Sequence, residues 1–220
     1  MNEASCPVKI PAGKILLNGD LCVPKDADGL VVFAHGSGSS RLSPRNMRVA
    51  AALRNAGLGT LLFDLLTDDE EAVDVITTKL RFNIPLLSER LVAVTEWLEN
   101  HSGICRLPIG YFGASTGAAA ALVAAAELPE CIAAVVSRGG RPDLAMKRIK
   151  EVKAPTLLIV GGADMQVMQF NRMALEKMAT ARELAIIPGA THLFEEPGAM
   201  EEVERLATAW FLKYLTISKR

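Results

Sequence analysis

The sequence predicts an α/β fold built on a mostly parallel sheet, and three observations predict it. Short, continuous apolar runs recur through the 220 residues, amphipathic stretches of helical length lie between them, and no internal repeat or low-complexity segment breaks the alternation. The chain opens on an alternating segment, Val8–Ile10 and Ile15–Val23 joined across Pro11-Ala-Gly13, that reads as an antiparallel hairpin. The runs Leu30–Ala34, Gly59–Phe63, Ile109–Phe112, Ile132–Val136, Thr156–Val160 and Leu184–Ile187 follow. They are apolar at successive positions, as strands covered by helices on both faces must be. Helical patterns fill the gaps: Asn46–Asn55, then Pro85–Glu99, Thr116–Leu128, Val167–Ala179 and Pro197–Leu215. Gly57 is a natural stop for the first of these, because glycine adopts the left-handed backbone of a helix end at little cost. Pro197 suits a first turn, and Glu201, Glu202 and Glu204 soon after it favour the partly positive helix N-terminus. Strand–helix alternation implies right-handed crossovers, and no composition break marks a boundary, so residues 1–220 read as one domain.

Bulk composition excludes several classes of function. Half the residues are hydrophobic and 22% are charged, the balance of a globular chain, and the formal net charge of −1 gives no electrostatic reason for a nucleic-acid or membrane-surface partner. Met1 to Pro11 lacks the basic start and apolar run of a secretory signal. The longest apolar stretch, Ala118–Ala126, is roughly half the length of a bilayer span. The expected location is therefore the cytoplasm. Cys6, Cys22, Cys105 and Cys131 show no CxxC spacing and read as buried thiols rather than disulfides or zinc ligands. No metal and no cofactor is expected.

In parallel sheets, chemistry collects where strands hand over to loops at their carboxyl ends. At one such handover stands Gly113-Ala-Ser115-Thr-Gly117, with an apolar strand before it and a helix after it. This G-x-S-x-G frame puts a serine on a tight, strained turn between strand and helix, and its two glycines sit where a Cβ would crowd neighbouring backbone. Ser115 at a helix N-terminus would enjoy free N–H groups and a dipole that favour developing negative charge. The alternative is a Gly/Ser turn without chemistry, but the strand–turn–helix setting favours the nucleophile.

A serine hydroxyl needs a base, and only three histidines exist. His35 precedes a glycine-rich loop and His101 ends a polar helix. His192, in Pro188-Gly-Ala-Thr-His192-Leu-Phe-Glu-Glu, follows the last strand and completes the chain order nucleophile, acid, base. The acid belongs in a strand-end loop between the two. Leu157–Val160 runs into Gly161-Gly-Ala-Asp164, which makes Asp164 the leading candidate and Asp143 the reserve. Either aspartate has an ordinary alternative as a helix cap. For an oxyanion, Thr116 supplies one N–H and the small-residue loop His35-Gly36-Ser37-Gly38-Ser39 the other, from Ser37 or Gly36, with His35 an anchor of that loop. Arg41, Arg45, Arg81, Arg138 and Arg141 fall in loops near this end of the sheet. Arg138, Arg141 and Arg41 are candidate contacts for an acidic group on a substrate, with solvated loop charge as the alternative. Leu65, Leu66 and Met165 suit an acyl pocket and core packing equally well.

These motifs resemble the dienelactone hydrolase-like branch of the α/β-hydrolase superfamily. The resemblance runs over nearly the whole chain, through the hairpin, HGSGSSR, GASTG, GGAD and GATHLFEEPG. It implies a compact α/β-hydrolase fold without a large lid, acting on small-molecule esters, lactones or related acyl compounds. Dienelactone hydrolases proper carry a cysteine nucleophile where this chain has Ser115, so a general carboxylesterase is the expected activity. Two other readings stay open. One is a non-catalytic ligand- or partner-binding protein on the same fold. The other is a dinucleotide-binding protein, since Gly36-Ser-Gly38-Ser-Ser-Arg41 after a strand approaches G-x-G-x-x-G, with Asp64 at the end of the next strand. Arg41 in place of the third glycine, and Pro44 just beyond, count against the latter.

Overall fold

The computed structural model describes residues 5–215. Strands β1 (Cys6–Ala12) and β2 (Ile15–Cys22) form the antiparallel hairpin, turning at Gly13 with φ +63°. The rest of the sheet comprises β3 (Leu30–Ala34), β4 (Gly59–Phe63), β5 (Ile109–Ala114), β6 (Ile132–Arg138), β7 (Thr156–Gly161) and β8 (Arg182–Ile187). The strand order is β1-β2-β4-β3-β5-β6-β7-β8, antiparallel up to the β2–β4 pairing and parallel from β4 to β8. With β4 on one side of β3 and β5 on the other, the winding reverses between β3 and β5. The loops leaving their carboxyl ends diverge there and leave a crevice, the standard ligand position in an open α/β sheet. This is the α/β-hydrolase fold.

The sheet is buried on both faces because each strand sends alternate residues to two apolar layers. On β3, Val32 enters one layer while Val31 and Phe33 enter the other. The first layer is covered by α3 (Ile84–Glu99), α4 (Thr116–Glu127) and α5 (Met165–Lys177), through residues such as Leu91, Ala120, Ala124 and Ala174. The second is covered by α1 (Pro44–Asn55) and α6 (Ala199–Leu215), through Val49, Leu53, Val203 and Phe211. That double burial explains the unbroken apolar runs. The buried Tyr111 hydroxyl is satisfied by Thr95, whose own hydroxyl also bonds the Leu91 carbonyl. Gly110 lets α6 lie close to β5, since a Cβ there would come within 2.7 Å of Phe211 Cε1.

Several expectations need correction. Helix α1 begins at Pro44, before the predicted Asn46: Ser43 caps it and the proline occupies a first-turn position that needs no N–H donor. Helix α6 begins at Ala199, because Gly198 takes a left-handed φ of +82° just after Pro197. Helix α5 starts two residues before Val167, capped by Asp164. Helix α2 (Asp68–Thr77) has no counterpart among the predicted elements. It buries only Asp74 and turns Val73, Val75 and Ile76 to solvent, so no apolar stripe announces it, although Thr67 and Glu70 form a capping box at its start. The cysteines form no disulfide, but only Cys22 is buried. Cys6 opens an edge strand and Cys105 lies in the turns after α3, and both are exposed. Among the described residues no helix is long and apolar enough to cross a membrane, and no group of three or more His, Cys, Asp or Glu is placed to hold a metal ion.

Replacing Gly110 with alanine forces α6 off the sheet or Phe211 off its rotamer, at a cost of about 1–3 kcal/mol. Urea unfolding measures this cost, and adding Phe211→Leu recovers part of it because the conflicting ring carbons are gone.

Candidate active site

The sharp turn after β5 is held by close backbone approach on both sides. A Cβ on Gly113 would lie 2.4 Å from Ala118 Cα, and one on Gly117 2.3 Å from the Ala34 carbonyl oxygen. Neither position admits a larger residue. Between them Ser115 has φ +51°, a left-handed-side value that is uncommon outside glycine. Three hydrogen bonds lock it there: its N–H donates to the Arg138 carbonyl, and its own carbonyl accepts from the N–H groups of Ala118 and Arg141. The side chain is not used as a helix cap and stands at the start of α4. Thr116 is the first residue of that helix, so its N–H has no carbonyl partner within α4.

Asp164 and His192 are brought together from the ends of β7 and β8. His192 Nδ1 lies 2.7 Å from Asp164 Oδ2, with the carboxylate largely shielded and the imidazole side chain 41% exposed. The other carboxylate oxygen, Oδ1, accepts from the Val167 N–H and caps α5. The cap and the histidine partner, alternatives in the sequence, are two duties of one carboxylate. The reserve candidate Asp143 is taken by a two-pronged pairing with Arg141 at 2.9 and 2.8 Å. The loop carrying His192 fits because Gly161 gives it room: a Cβ there would lie 2.3 Å from the Ala190 carbonyl oxygen. Two residues beyond His192, buried Phe194 has φ +57°, a strained value for an aromatic residue that no sequence signal marks. Among the described residues, no hydrogen bond joins the Ser115 hydroxyl to His192. Such contacts commonly tighten only with substrate bound.

The loop after β3 lies against Ser115. A Cβ on Gly36 would come within 3.2 Å of Ser115 Cβ, so this loop packs closely on the turn that carries Ser115. His35 pins this loop from below. Its Nε2 accepts from the Leu65 N–H, which requires the proton on Nδ1, and that N–H donates to the Gly36 carbonyl. A cavity of about 550 Å³ opens on the far side of the loop, lined by His35, Ser39, Arg41, Arg45, Leu66 and Glu71 among others; Ser115, Asp164 and His192 do not line it.

The arginines separate into three states. Arg41 is committed to Asp20 and Asp64, both from its side chain and, for Asp64, from its backbone N–H. It therefore ties β2 to the loop after β4. Arg141 is neutralised by Asp143 and lies over the Phe170 ring. Arg138 is buried, and its Nε and Nη1 have no hydrogen-bond partner among the described residues. Leu65 and Leu66 are core residues, while Met165 is largely exposed.

With this geometry in view, the similarities to other proteins are informative. A family model described as the dienelactone hydrolase family matches residues 17–216. A crystal structure of a dienelactone hydrolase from Anabaena variabilis superposes with a TM-score of 0.95 at 57% identity, covering 96% of this chain and 98% of that one. An α/β serine hydrolase without a lid from Xanthomonas campestris shares the fold, with a TM-score of 0.77 at 21% identity over 99% and 98% of the two chains. A curated Mycobacterium tuberculosis protein, named as a phosphoribosyl transferase, is 53% identical over 208 residues, 94% of this chain but 46% of its own length. The chain thus spans about half the length of the curated relatives it matches first.

Burial holds the His35 pKa below its ordinary value of 6.5, although the bond to the Gly36 carbonyl pulls the other way. The folded protein therefore binds fewer protons at this site than the unfolded chain in the window below about pH 6.5. The stabilisation from neutral His35 is complete above that pH and is lost as pH falls towards the folded value. Thermal midpoints measured between neutral and mildly acidic pH should fall more steeply for the intact protein than for His35→Gln, which has no titratable ring.

Proposed function

This chain belongs to the dienelactone hydrolase family, and we propose that within it the protein is a serine esterase, cleaving carboxylic esters or related acyl compounds of small molecules through Ser115, His192 and Asp164. The observation that carries this reading is the 2.7 Å contact between His192 Nδ1 and Asp164 Oδ2, formed at the carboxyl end of the same sheet that holds Ser115 at positive φ. A carboxylate accepting from Nδ1–H leaves the lone pair of Nε2 as the basic site and favours the imidazolium that forms when it takes a proton.

In the proposed reaction, Ser115 Oγ bonds to the acyl carbon while its proton passes to His192 Nε2. The carbonyl π pair moves onto oxygen, and the N–H groups of Thr116 and of Ser37 or Gly36 donate to that oxyanion. Collapse breaks the ester C–O bond, and the leaving alkoxide takes the proton from His192. Water then attacks the acyl-enzyme, giving its proton to the same nitrogen, and the acid departs as Ser115 recovers its hydrogen. The name of the Mycobacterium tuberculosis relative describes a protein more than twice the matched length. The portion shared with this chain is the portion that the hydrolase family model covers, so we assign hydrolysis, not phosphoribosyl transfer, to it.

The test is hydrolysis of a series of p-nitrophenyl esters. Ser115→Ala should lower kcat by at least about 10³-fold. Asp164→Asn is more discriminating. Asparagine still caps α5, so stability should change by less than about 1 kcal/mol. Its NH₂ group, however, cannot serve Nδ1–H as a carboxylate does, and kcat should fall about 10³–10⁴-fold. No turnover on any ester, with both variants indistinguishable from the intact protein, would favour the non-catalytic binding reading.

A further inference from the structure

Helix α2 is the element whose presence the core leaves unexplained. Val73, Val75 and Ile76 face solvent, and the helix adds no apolar side chain to either buried layer. The one side chain it buries is the Asp74 carboxylate, a costly group to bury unless it is paired and hydrogen-bonded. Asp74 Oδ1 accepts from the Leu80 N–H at 2.6 Å and the Arg81 N–H at 3.2 Å, and Oδ2 accepts from Arg81 Nε. Arg81 Nη2 donates to the Asp74 carbonyl at 2.9 Å. Glu70, one turn earlier, ties the helix to Arg90 of α3 at 2.8 Å. Two nitrogens of the Arg81 guanidinium are thus fixed, and the planar fork sets the direction of the third.

That third nitrogen, Nη1, faces the loop after β3. The loop is held at its stem by His35, which bonds the Gly36 carbonyl, and at its exit by the Arg41 N–H, which donates to Asp64. Between them, Gly36 to Ser39 form a turn closed by the Ser39 N–H on the Gly36 carbonyl at 3.2 Å, with Gly38 at φ +67°. Rotation of the central peptide changes such a turn from one type to another, and the closing bond does not prevent it. What stands against that peptide is Arg81. Chain neighbours aside, the one heavy atom of the described residues within 4 Å of a Cβ built on Gly38 is Arg81 Nη1, at 3.5 Å.

We propose that Arg81, clamped by Asp74, is a positioning residue that seats the Gly36–Ser39 turn so that the loop presents its N–H groups to the acyl oxygen. This inference rests on the hydrolysis proposed above. Arg81 lines one small cavity together with Gly36, Ser37, Gly38 and Thr116, so the seat adjoins both proposed sources of oxyanion donors. A loosened turn still admits the neutral ester but no longer aims its donors where negative charge develops, so the loss falls on the tetrahedral state. Arg81 acts through the loop and needs no contact with the substrate.

The test measures hydrolysis of p-nitrophenyl acetate and inhibition by trifluoroacetone for the intact protein, Arg81→Met and Arg81→Lys. When the ketone binds, Ser115 Oγ adds to its carbonyl carbon, the serine proton passes to His192 and the carbonyl oxygen becomes the oxyanion. In Arg81→Met, kcat should fall about 10–10²-fold with KM changed less than about twofold, and the ketone inhibition constant should rise by the factor lost in kcat/KM. Arg81→Lys keeps a charge for Asp74 but not the fork, and should recover little of that rate. Arg81→Met strands a buried carboxylate. Should it fold poorly, Asp74→Asn/Arg81→Met, whose asparagine oxygen still accepts the two N–H groups, is expected to show the same losses. An active intact protein whose variants keep kcat and ketone affinity would overturn this inference alone. So would a rise in KM with both quantities unchanged, which would make Arg81 a substrate contact. An intact protein that neither turns over the ester nor binds the ketone would overturn the hydrolysis itself.

Discussion

The rest of the site depends on the backbone of Ser115 being held where a non-glycine residue does not rest freely. A φ of +51° stores strain of roughly 1–3 kcal/mol, and the surroundings must over-determine it. They do so in two ways. Backbone contact at Gly113 and Gly117 leaves no room for the turn to relax, and the hydrogen bonds to Arg138 and Arg141 tie it to the end of β6. The same contact presses Gly117 onto Ala34 and His35, which fixes how the loop after β3 meets Ser115. One constraint therefore sets the positions of the hydroxyl, the first N–H of α4 and the glycine-rich loop together.

A second economy lies at Asp164. One carboxylate closes the N-terminus of α5 and holds His192 by its other oxygen, so the imidazole is oriented by a group that helix formation itself positions. His35 plays a comparable part on the opposite side: because Nε2 accepts a backbone N–H and Nδ1 donates to a carbonyl, the neutral ring is a fixed strut rather than a second base. The shape of the site thus rests on short-range polar contacts at strand ends, while the two apolar layers below provide the rigid floor.

What was legible in the sequence follows from the range over which each feature is determined. The buried strands were legible because double-sided burial leaves unbroken apolar runs such as Leu30–Ala34 and Thr156–Val160. The elbow and the loops of Asp164 and His192 were legible because glycine spacing and chain order are local. Helix α2 was not, since its apolar residues Val73, Val75 and Ile76 face solvent and its one buried side chain is an aspartate held by Arg81. Nor were the fates of the arginines. Whether Arg41 meets Asp20 and Asp64, or Arg138 is left with Nε and Nη1 unpartnered among the described residues, is settled by residues distant in the chain. The start of α6 slipped by two residues for a smaller reason, the left-handed turn at Gly198.

Mass spectrometry of the protein after reaction with a fluorophosphonate tests most directly whether Ser115 is an activated nucleophile. One phosphonyl adduct, formed as the serine oxygen displaces fluoride, is expected on the peptide that contains Ser115. An intact protein that stays unmodified after long exposure, or an adduct on any other residue, would contradict it.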